Sequence, residues 1–357
     1  MAQHRDPAAA PAAGTRVPAD ALAAYLRCQA TQFLRALGPQ RGSGAARAAS
    51  ADTARALRRA ARRISGTLHT FRCLLEETWA EQLRPELAWL SGTLAREHAL
   101  QERRERLLLA LHRLSPQPSA PDGTPSTGRD GPALAPPAPP AGHHGTGDLT
   151  VGAAKAGALL DRRLTLARAR AHSEALQALG SARFHALADQ VAVLAGDVPL
   201  APGARDVDLR AAARAAEDRL ADAVAALPLL TAGSPYNAAA LADGLSAQTA
   251  VHPQDAPWHQ VRLLLRLHRY AREVLHDQAP ADPRLPAASR ALDRHRDAAE
   301  AAAAAASAAR TPRIAPATAY VLGVLHADQR HAVEAARFAF QRAWLRQPVG
   351  AGRGGDR

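Results

Sequence analysis

The segment Asp255–Leu275, DAPWHQVRLLLRLHRYAREVL, decides the fold because it combines a plain helical pattern with an unusual arrangement of charge. Asp255 and Pro257 are typical of a helix start. Four basic side chains then recur at i, i+3, i+7 and i+10, which places them on one helix face: His259, Arg262, Arg266 and Arg269. The sequence has no Asp or Glu between Asp255 and Glu273. Because like charges at this spacing repel, the row indicates an external anion, and a solvated arginine face is the alternative.

The same pattern occurs a second time, 204 residues earlier in the chain, in the segment Ala54–Arg72, ARALRRAARRISGTLHTFR. Arg55, Arg58 and Arg62 fall on the positions of His259, Arg262 and Arg266, and Ser65 falls on that of Arg269. This copy is also free of acidic residues from Thr53 to Leu75. Two copies of one uncommon pattern predict a duplicated structural unit.

Composition favours packed helices and a negatively charged partner. Hydrophobic residues make up 47% of the 357 residues, much of this as alanine, and aromatic residues only 4%. A core with few aromatic and many alanine side chains suits closely packed helices better than sheets. The net charge of +12 is carried almost wholly by arginine, which binds phosphate bidentately. A polyanion is therefore expected: polyphosphate, nucleic acid or an anionic membrane surface.

Helical periodicity predicts an all-α fold in which each half of the chain supplies a four-helix bundle. The first bundle is expected at 18–200 and the second at 201–346. A Pro- and Gly-rich linker at 115–148 lies inside the first half, and the ends, 1–17 and 347–357, are expected to be disordered. No signal peptide or membrane-spanning run is apparent in the sequence, so we expect a cytoplasmic protein that does not insert into membranes.

Several segments resemble the CHAD domain, the conserved histidine α-helical domain. The pattern H-x-x-R-x-x-x-[KR]-x-x-R-Y at His259–Tyr270 resembles its signature, as does L-x-R-H-R-D at Leu292–Asp297. The run Thr318–Trp344 is similar to the closing helix of actinobacterial members. The resemblance implies two four-helix bundles related by a pseudo-twofold axis, with a basic channel between them that binds inorganic polyphosphate. It also implies an association with polyphosphate granules.

The candidate polyphosphate-binding residues follow from the two basic rows and from the resemblance: Arg55, Arg58, Arg62, Arg63, His259, Arg262, Arg266, Arg269 and Arg296. Arg296 has a second interpretation, an ion pair with Asp297. The first half departs from the family pattern, since Arg55 replaces the signature histidine and Ser65 replaces an arginine. The first half is therefore expected to bind more weakly or to be more structural.

Other functions have weaker support in the sequence. We find no nucleophile, dinucleotide-binding, phosphate-loop or zinc-protease motif, so neither catalysis nor a cofactor is expected. A di-iron bundle needs two Glu-x-x-His pairs, and only Glu273 with His276 fits. Nucleic-acid binding remains an alternative, although few aromatic residues are available for base stacking. A helical scaffold or a metal-binding bundle is the second alternative, and the oligomeric state stays open.

Overall fold

The computed structural model of the chain describes residues 17–38, 46–114, 144–234, 237–245, 252–275 and 282–345. Side chains are described in these ranges except at 46–51 and 144–148. Eleven α-helices form in the described ranges: α1 (Ala19–Leu37), α2 (Ala46–Thr70), α3 (Glu77–Leu114), α4 (His144–Leu179), α5 (Ala182–Gly196), α6 (Leu209–Ala225), α7 (Leu229–Ala232), α8 (Ala238–Gly244), α9 (Ala256–Val274), α10 (Arg284–Ala309) and α11 (Pro316–Leu345). Three short 3-10 turns accompany them: Arg72–Leu74, Ala204–Asp206 and Pro253–Asp255.

The prediction of an all-α protein is confirmed. In the described ranges the regular structure is helical, apart from an isolated antiparallel bridge between Leu75 and Leu200. Local signals begin and end helices where the sequence suggests. The Ser181 hydroxyl accepts a hydrogen bond from the Phe184 N–H at 3.2 Å at the start of α5. The Gly38 N–H donates to the Arg35 carbonyl at 3.2 Å, where α1 ends.

Two boundaries differ from the prediction. Helix α4 begins at His144, so residues 144–148 are helical and do not belong to the linker. Val17 was assigned to the N-terminal tail, but only 6% of its surface is exposed. Its N–H donates to Asp208 Oδ1 at 3.3 Å, and its carbonyl accepts from the Leu209 N–H at 3.2 Å. Val17 lies next to α1 and joins the core of the first unit. The composition of the tail does not predict this.

Other predictions fall on residues that the structure does not describe. These are the N-terminal tail up to residue 16, the linker from 115 to 143, the C-terminal tail from 347, and His276 of the Glu-x-x-His pair.

The chain divides into two compact units, and neither corresponds to one consecutive half of the sequence. The first unit combines Met1–Ala95, Glu174–Leu227 and Gln260–Leu285, and the second combines Arg96–Ser173, Pro228–His259 and Pro286–Arg357. Helices such as α3 are long enough to contribute to both units. The consecutive bundles at 18–200 and 201–346, and their pseudo-symmetry, stay predictions.

Within the first unit, α1 packs against α2 and α5. The core is built from large side chains on these helices and on α3, and includes Leu26, Phe33, Leu57, Ile64 and Leu83, all fully buried. Burying each such side chain contributes about 1.5–3 kcal/mol. The second unit has its own core on α3, α4, α10 and α11, in which alanines such as Ala301 and Ala305 alternate with leucines such as Leu107 and Leu322.

Helices α2 and α9 approach closely in the first unit where Gly66 faces Tyr270. A Cβ atom built on Gly66 would lie 2.6 Å from Tyr270 Cδ2 and 3.3 Å from Leu267 Cδ2. Real Cβ atoms do not come so close to a ring, so only glycine fits at this position. Tyr270 follows Gly66 by 204 residues, the offset of the two basic rows. At this corresponding position α9 therefore carries the Tyr270 ring, and α2 carries a glycine that leaves space for the ring.

We predict that Gly66→Ala lowers the free energy of unfolding by about 1–3 kcal/mol, because the added methyl group overpacks the contact with Tyr270. Gly92→Ala is the matched control, since Gly92 lies inside α3 of the same unit with nothing within 4 Å of its built Cβ. This control should leave stability unchanged or raise it by about 0.5–1 kcal/mol. Urea unfolding of both variants measures the difference. Equal effects at the two glycines would show that the space beside Tyr270 is not limiting.

Candidate anion-binding site

The two basic rows meet inside the first unit. Arg58 and Arg62 lie one turn apart on α2, and Arg262 and Arg266 lie one turn apart on α9. All four side chains are partly buried. The positive charges of the other three act on Arg62, so the four guanidinium groups share one neighbourhood. We call them the arginine cluster.

Arg62 lies at an electrostatically unfavourable position in the arginine cluster. Partial burial, then the charges of Arg266, Arg58 and Arg262, lower the pKa of Arg62 to about 10. Among the described residues, no carboxylate lies within ion-pair distance of Arg62. Arg62 still carries its charge at neutral pH, because this pKa is about three units higher. A buried cation surrounded by like charges costs free energy in the absence of an anion.

Arg63 lies beside Arg62 in the sequence but has a carboxylate partner. Its Nε donates to Glu273 Oε2 at 2.8 Å, and its Nη2 donates to Glu273 Oε1 at 3.4 Å. Burial alone would lower the pKa of Arg63, but the hydrogen bond and attraction to Glu273 raise it above the ordinary value. The predicted phosphate ligand Arg63 thus has an intramolecular partner, which sequence spacing could not reveal.

Three other candidates lie outside the cluster. Arg55 is exposed and forms an ion pair with Asp52, one turn earlier on α2. Arg269 is partly buried on α9. Arg296 belongs to the second unit and pairs with Asp297, its Nε donating to Asp297 Oδ1 at 2.9 Å. The ion pair, one of the two interpretations of Arg296, is present in the structure.

His259, at the start of the second row, belongs to the second unit and packs against another histidine. Its ring lies edge-on to His295, with 5.5 Å between the ring centroids. His295 in turn stacks on Trp258 at 5.6 Å, and both residues are 1% exposed. His259 therefore lies against a buried pair of aromatic rings.

His295 also contacts a buried ionic cluster around Asp255, which was not predicted from the sequence. The Asp255 carboxylate, expected to cap α9, is 2% exposed and accepts hydrogen bonds at 2.7 Å from Arg330 Nη1 and from Arg337 Nη2. Burial alone would raise the pKa of Asp255, but hydrogen bonds from His295 and Arg330 hold it well below its ordinary value. A usable signal was present, because Arg330 and Arg337 are spaced i, i+7 and alternate with Val333 and Phe340 on the buried face of α11.

The described part of the chain contains neither a metal-binding group nor a membrane-spanning helix. No group of three or more His, Cys, Asp or Glu side chains there is arranged to hold a metal ion. No helix in the described ranges has both the length and the apolar character needed to cross a membrane.

Comparison with known proteins identifies the family of this chain. The family model of the CHAD domain matches residues 29–305. The chain belongs to the CHAD domain family. The solved structure of PptA from Streptomyces chartreusis is similar, with 61% sequence identity, a TM-score of 0.73, and coverage of 92% of this chain and 99% of that chain. No curated protein matches this chain. The part of the chain that matches the CHAD domain includes α2 and α9, so all four arginines of the cluster lie within the matched residues.

The buried His295 of this CHAD domain gives a prediction about pH. Burial is the main cause that lowers the pKa of His295 to about 4, and the positive charges of Arg337 and His259 add to it, although Asp255 opposes the shift. The unfolded chain binds the proton near pH 6.5, whereas the folded protein does not. Stability should therefore be complete above about pH 6.5 and should fall, by up to about 3 kcal/mol, as the pH drops towards 4.

Free energies of unfolding measured by urea at pH 4.5, 5.5, 6.5 and 7.5 test this prediction. His295→Gln should lower stability at pH 7.5 and flatten the profile between pH 4.5 and 6.5. His331→Gln is the control, because His331 is exposed on α11 and should leave the profile unchanged. An unchanged slope in His295→Gln would assign the pH dependence to other groups.

Proposed function

We propose that this CHAD domain protein binds polyanions without catalysis and that its ligand is inorganic polyphosphate, bound by the arginine cluster. The observation that carries the proposal is Arg62, a partly buried cation whose neighbours are three further arginines. A helix pair selected only for stability would place a carboxylate at such a point, as it does for Arg63. A bound polyanion would neutralise Arg62 and remove the repulsion among the four side chains.

The chemistry of arginine suits a chain of phosphates. Each guanidinium group can donate two parallel hydrogen bonds to a phosphate, and pairs one turn apart on a helix are spaced by about 5–6 Å. Two such pairs on neighbouring helices would surround a linear anion from two sides. Binding of this kind depends on the charge of the ligand and the spacing of its phosphates, and does not require a specific sequence of bases.

Polyphosphate is preferred to nucleic acid because of the aromatic side chain beside the cluster. Single-stranded nucleic acids are usually bound by rings on which bases stack. Tyr270 is the aromatic residue beside the cluster: one edge of its ring, Cδ2 and Cε2, lies against Gly66, and the Arg63 guanidinium lies over the ring, 6.0 Å from its centre. The resemblance to the CHAD domain also implies polyphosphate. Nucleic-acid binding is therefore the alternative that the competition experiment with DNA, described below, would detect.

The roles proposed for the other candidates follow from their contacts. Arg63 and Arg296 have carboxylate partners, so we assign them to the framework of the protein. His259 and Arg269 extend the row on α9 and remain proposed secondary contacts, as does the exposed Arg55 on α2. A channel between two bundles, a cytoplasmic location and an association with granules remain predictions from the sequence and the resemblance.

The test removes two charges from the cluster and two from elsewhere in the same unit. Arg62→Ala with Arg266→Ala should weaken binding of long-chain polyphosphate at least tenfold, since a hydrogen bond to a charged group contributes about 1.5–3 kcal/mol. Arg27→Ala with Arg35→Ala is the control, because both arginines are exposed on α1 and the change in net charge is the same. The control should lose much less affinity. The cluster variant should not lose stability without ligand, because self-repulsion is removed.

Affinity is measured by calorimetric titration at several salt concentrations, with duplex DNA and orthophosphate as competitors at equal phosphate concentration. The native protein should lose affinity steeply as salt rises, because binding releases counterions. Displacement of polyphosphate by DNA would favour a nucleic-acid function. Equal losses in the cluster and control variants would mean that net charge alone attracts the anion.

A further inference from the structure

Glu273 connects three helices of the first unit at the end of the arginine cluster. Its Oε2 accepts a hydrogen bond from the Tyr25 hydroxyl on α1 at 2.8 Å and from Arg63 Nε on α2 at 2.8 Å. Glu273 itself lies on α9, one turn beyond Tyr270. The side chains of Glu273 and Arg63 are 30% and 26% exposed, so the contact is partly shielded from water. We call Tyr25, Arg63 and Glu273 the Glu273 node.

The Glu273 node lies where the two basic helices need to be held together. Arg62 precedes Arg63 on α2, and Arg266 lies two turns before Glu273 on α9. Repulsion between the two rows pushes α2 and α9 apart, and the hydrogen-bonded pair of Arg63 and Glu273 opposes it across the same two helices. The Arg63 guanidinium also lies 6.0 Å from the centre of the Tyr270 ring, which is in contact with Gly66.

The duplication does not explain the Glu273 node. The position 204 residues before Glu273 is His69, which is exposed on α2. The second basic row therefore ends at a carboxylate that the first row lacks. The Tyr25 hydroxyl remains a proton donor across the working pH range, because burial and then the charge of Glu273 raise its pKa far above the ordinary value.

We infer that Glu273 and Tyr25 are positioning residues of the anion site, which hold α2 against α9 so that the arginine cluster is assembled before the ligand arrives. This inference rests on the proposed function. Pre-organisation of a site raises affinity because the ordering is complete before binding. The cluster would otherwise separate in the free protein, and the anion would have to bring the helices together.

The inference can be tested sharply because a simple charge argument predicts the opposite result. A carboxylate near a cationic site repels the anion, so removing its charge should strengthen polyphosphate binding. If Glu273 positions the helices, Glu273→Gln should weaken binding although the protein becomes more positive. Tyr25→Phe changes no charge, and it should weaken binding in the same direction.

The first experiment titrates polyphosphate of one defined length into native protein, Glu273→Gln, Tyr25→Phe and Glu81→Gln, at a temperature where all four are folded. Glu81 is the matched control, because it is exposed on α3 of the same unit. We expect a loss of about tenfold in Glu273→Gln, a smaller loss in Tyr25→Phe, and no loss in Glu81→Gln. Unchanged or stronger binding by Glu273→Gln would overturn the inference. A variant that melts at a lower temperature but binds polyphosphate as tightly as the native protein would also overturn it, because Glu273 would then only stabilise the fold.

The second experiment needs no ligand and separates this inference from the proposed function. Spin labels on Arg59→Cys and Leu263→Cys report the distance between α2 and α9, because both sites are exposed in the first unit. Cys28 and Cys73 are exposed and are replaced by serine in this background. The ligand-free distance distribution should become longer or broader when Glu273→Gln is added. An unchanged distribution would overturn the positioning role even if polyphosphate binds, whereas a changed distribution without polyphosphate binding would contradict only the proposed function.

Discussion

Repulsion among arginines on α2 and α9 is the constraint on which the rest of the first unit depends. Arg62 is partly buried beside three like charges, so the two helices would separate if the basic rows alone decided their distance. Three features oppose that separation: the shared apolar core, the contact of Tyr270 with Gly66, and the hydrogen bonds that Glu273 accepts. The first is general to helical proteins. The other two are specific to this pair of helices and lie next to the charges that they hold together.

The two units use arginine in different ways. In the second unit Arg330 and Arg337 are almost fully buried, and both donate hydrogen bonds to Asp255 at 2.7 Å. Arg337 also donates to Glu334 Oε1 at 2.8 Å, so two carboxylates balance the two arginines. Such a cluster fixes the turn before α9 against α11, and leaving one of its charges without a partner would cost several kcal/mol, about 3–5 in comparable cases. In the first unit, Arg62 has no such carboxylate among the described residues. The fully buried Arg330 and Arg337, which have carboxylate partners, thus belong to the framework, whereas the partly buried Arg62 marks the candidate site.

Much of the fold could be predicted from the sequence, and less of the site. Periodicity, caps and breakers specify helices locally, so the all-α class and the extent of α9 followed from the residues themselves. The partners of Arg63 and Arg296 did not, because Glu273 lies 210 residues from Arg63 and spacing carries no information about such contacts. The Asp255 cluster was missed for the same reason. Composition also misplaced Val17, since a single apolar residue beside an alanine- and proline-rich tail gives almost no signal.

The central claim is that the arginine cluster is an anion site with polyphosphate as its ligand. The most direct measurement is a crystal structure of the protein with a short polyphosphate of defined length bound. The account predicts phosphate oxygens within hydrogen-bond distance of Arg62 and Arg266, with Arg63 still paired to Glu273. Polyphosphate bound only at exposed arginines such as Arg27 and Arg35, with none at Arg62, would contradict the claim.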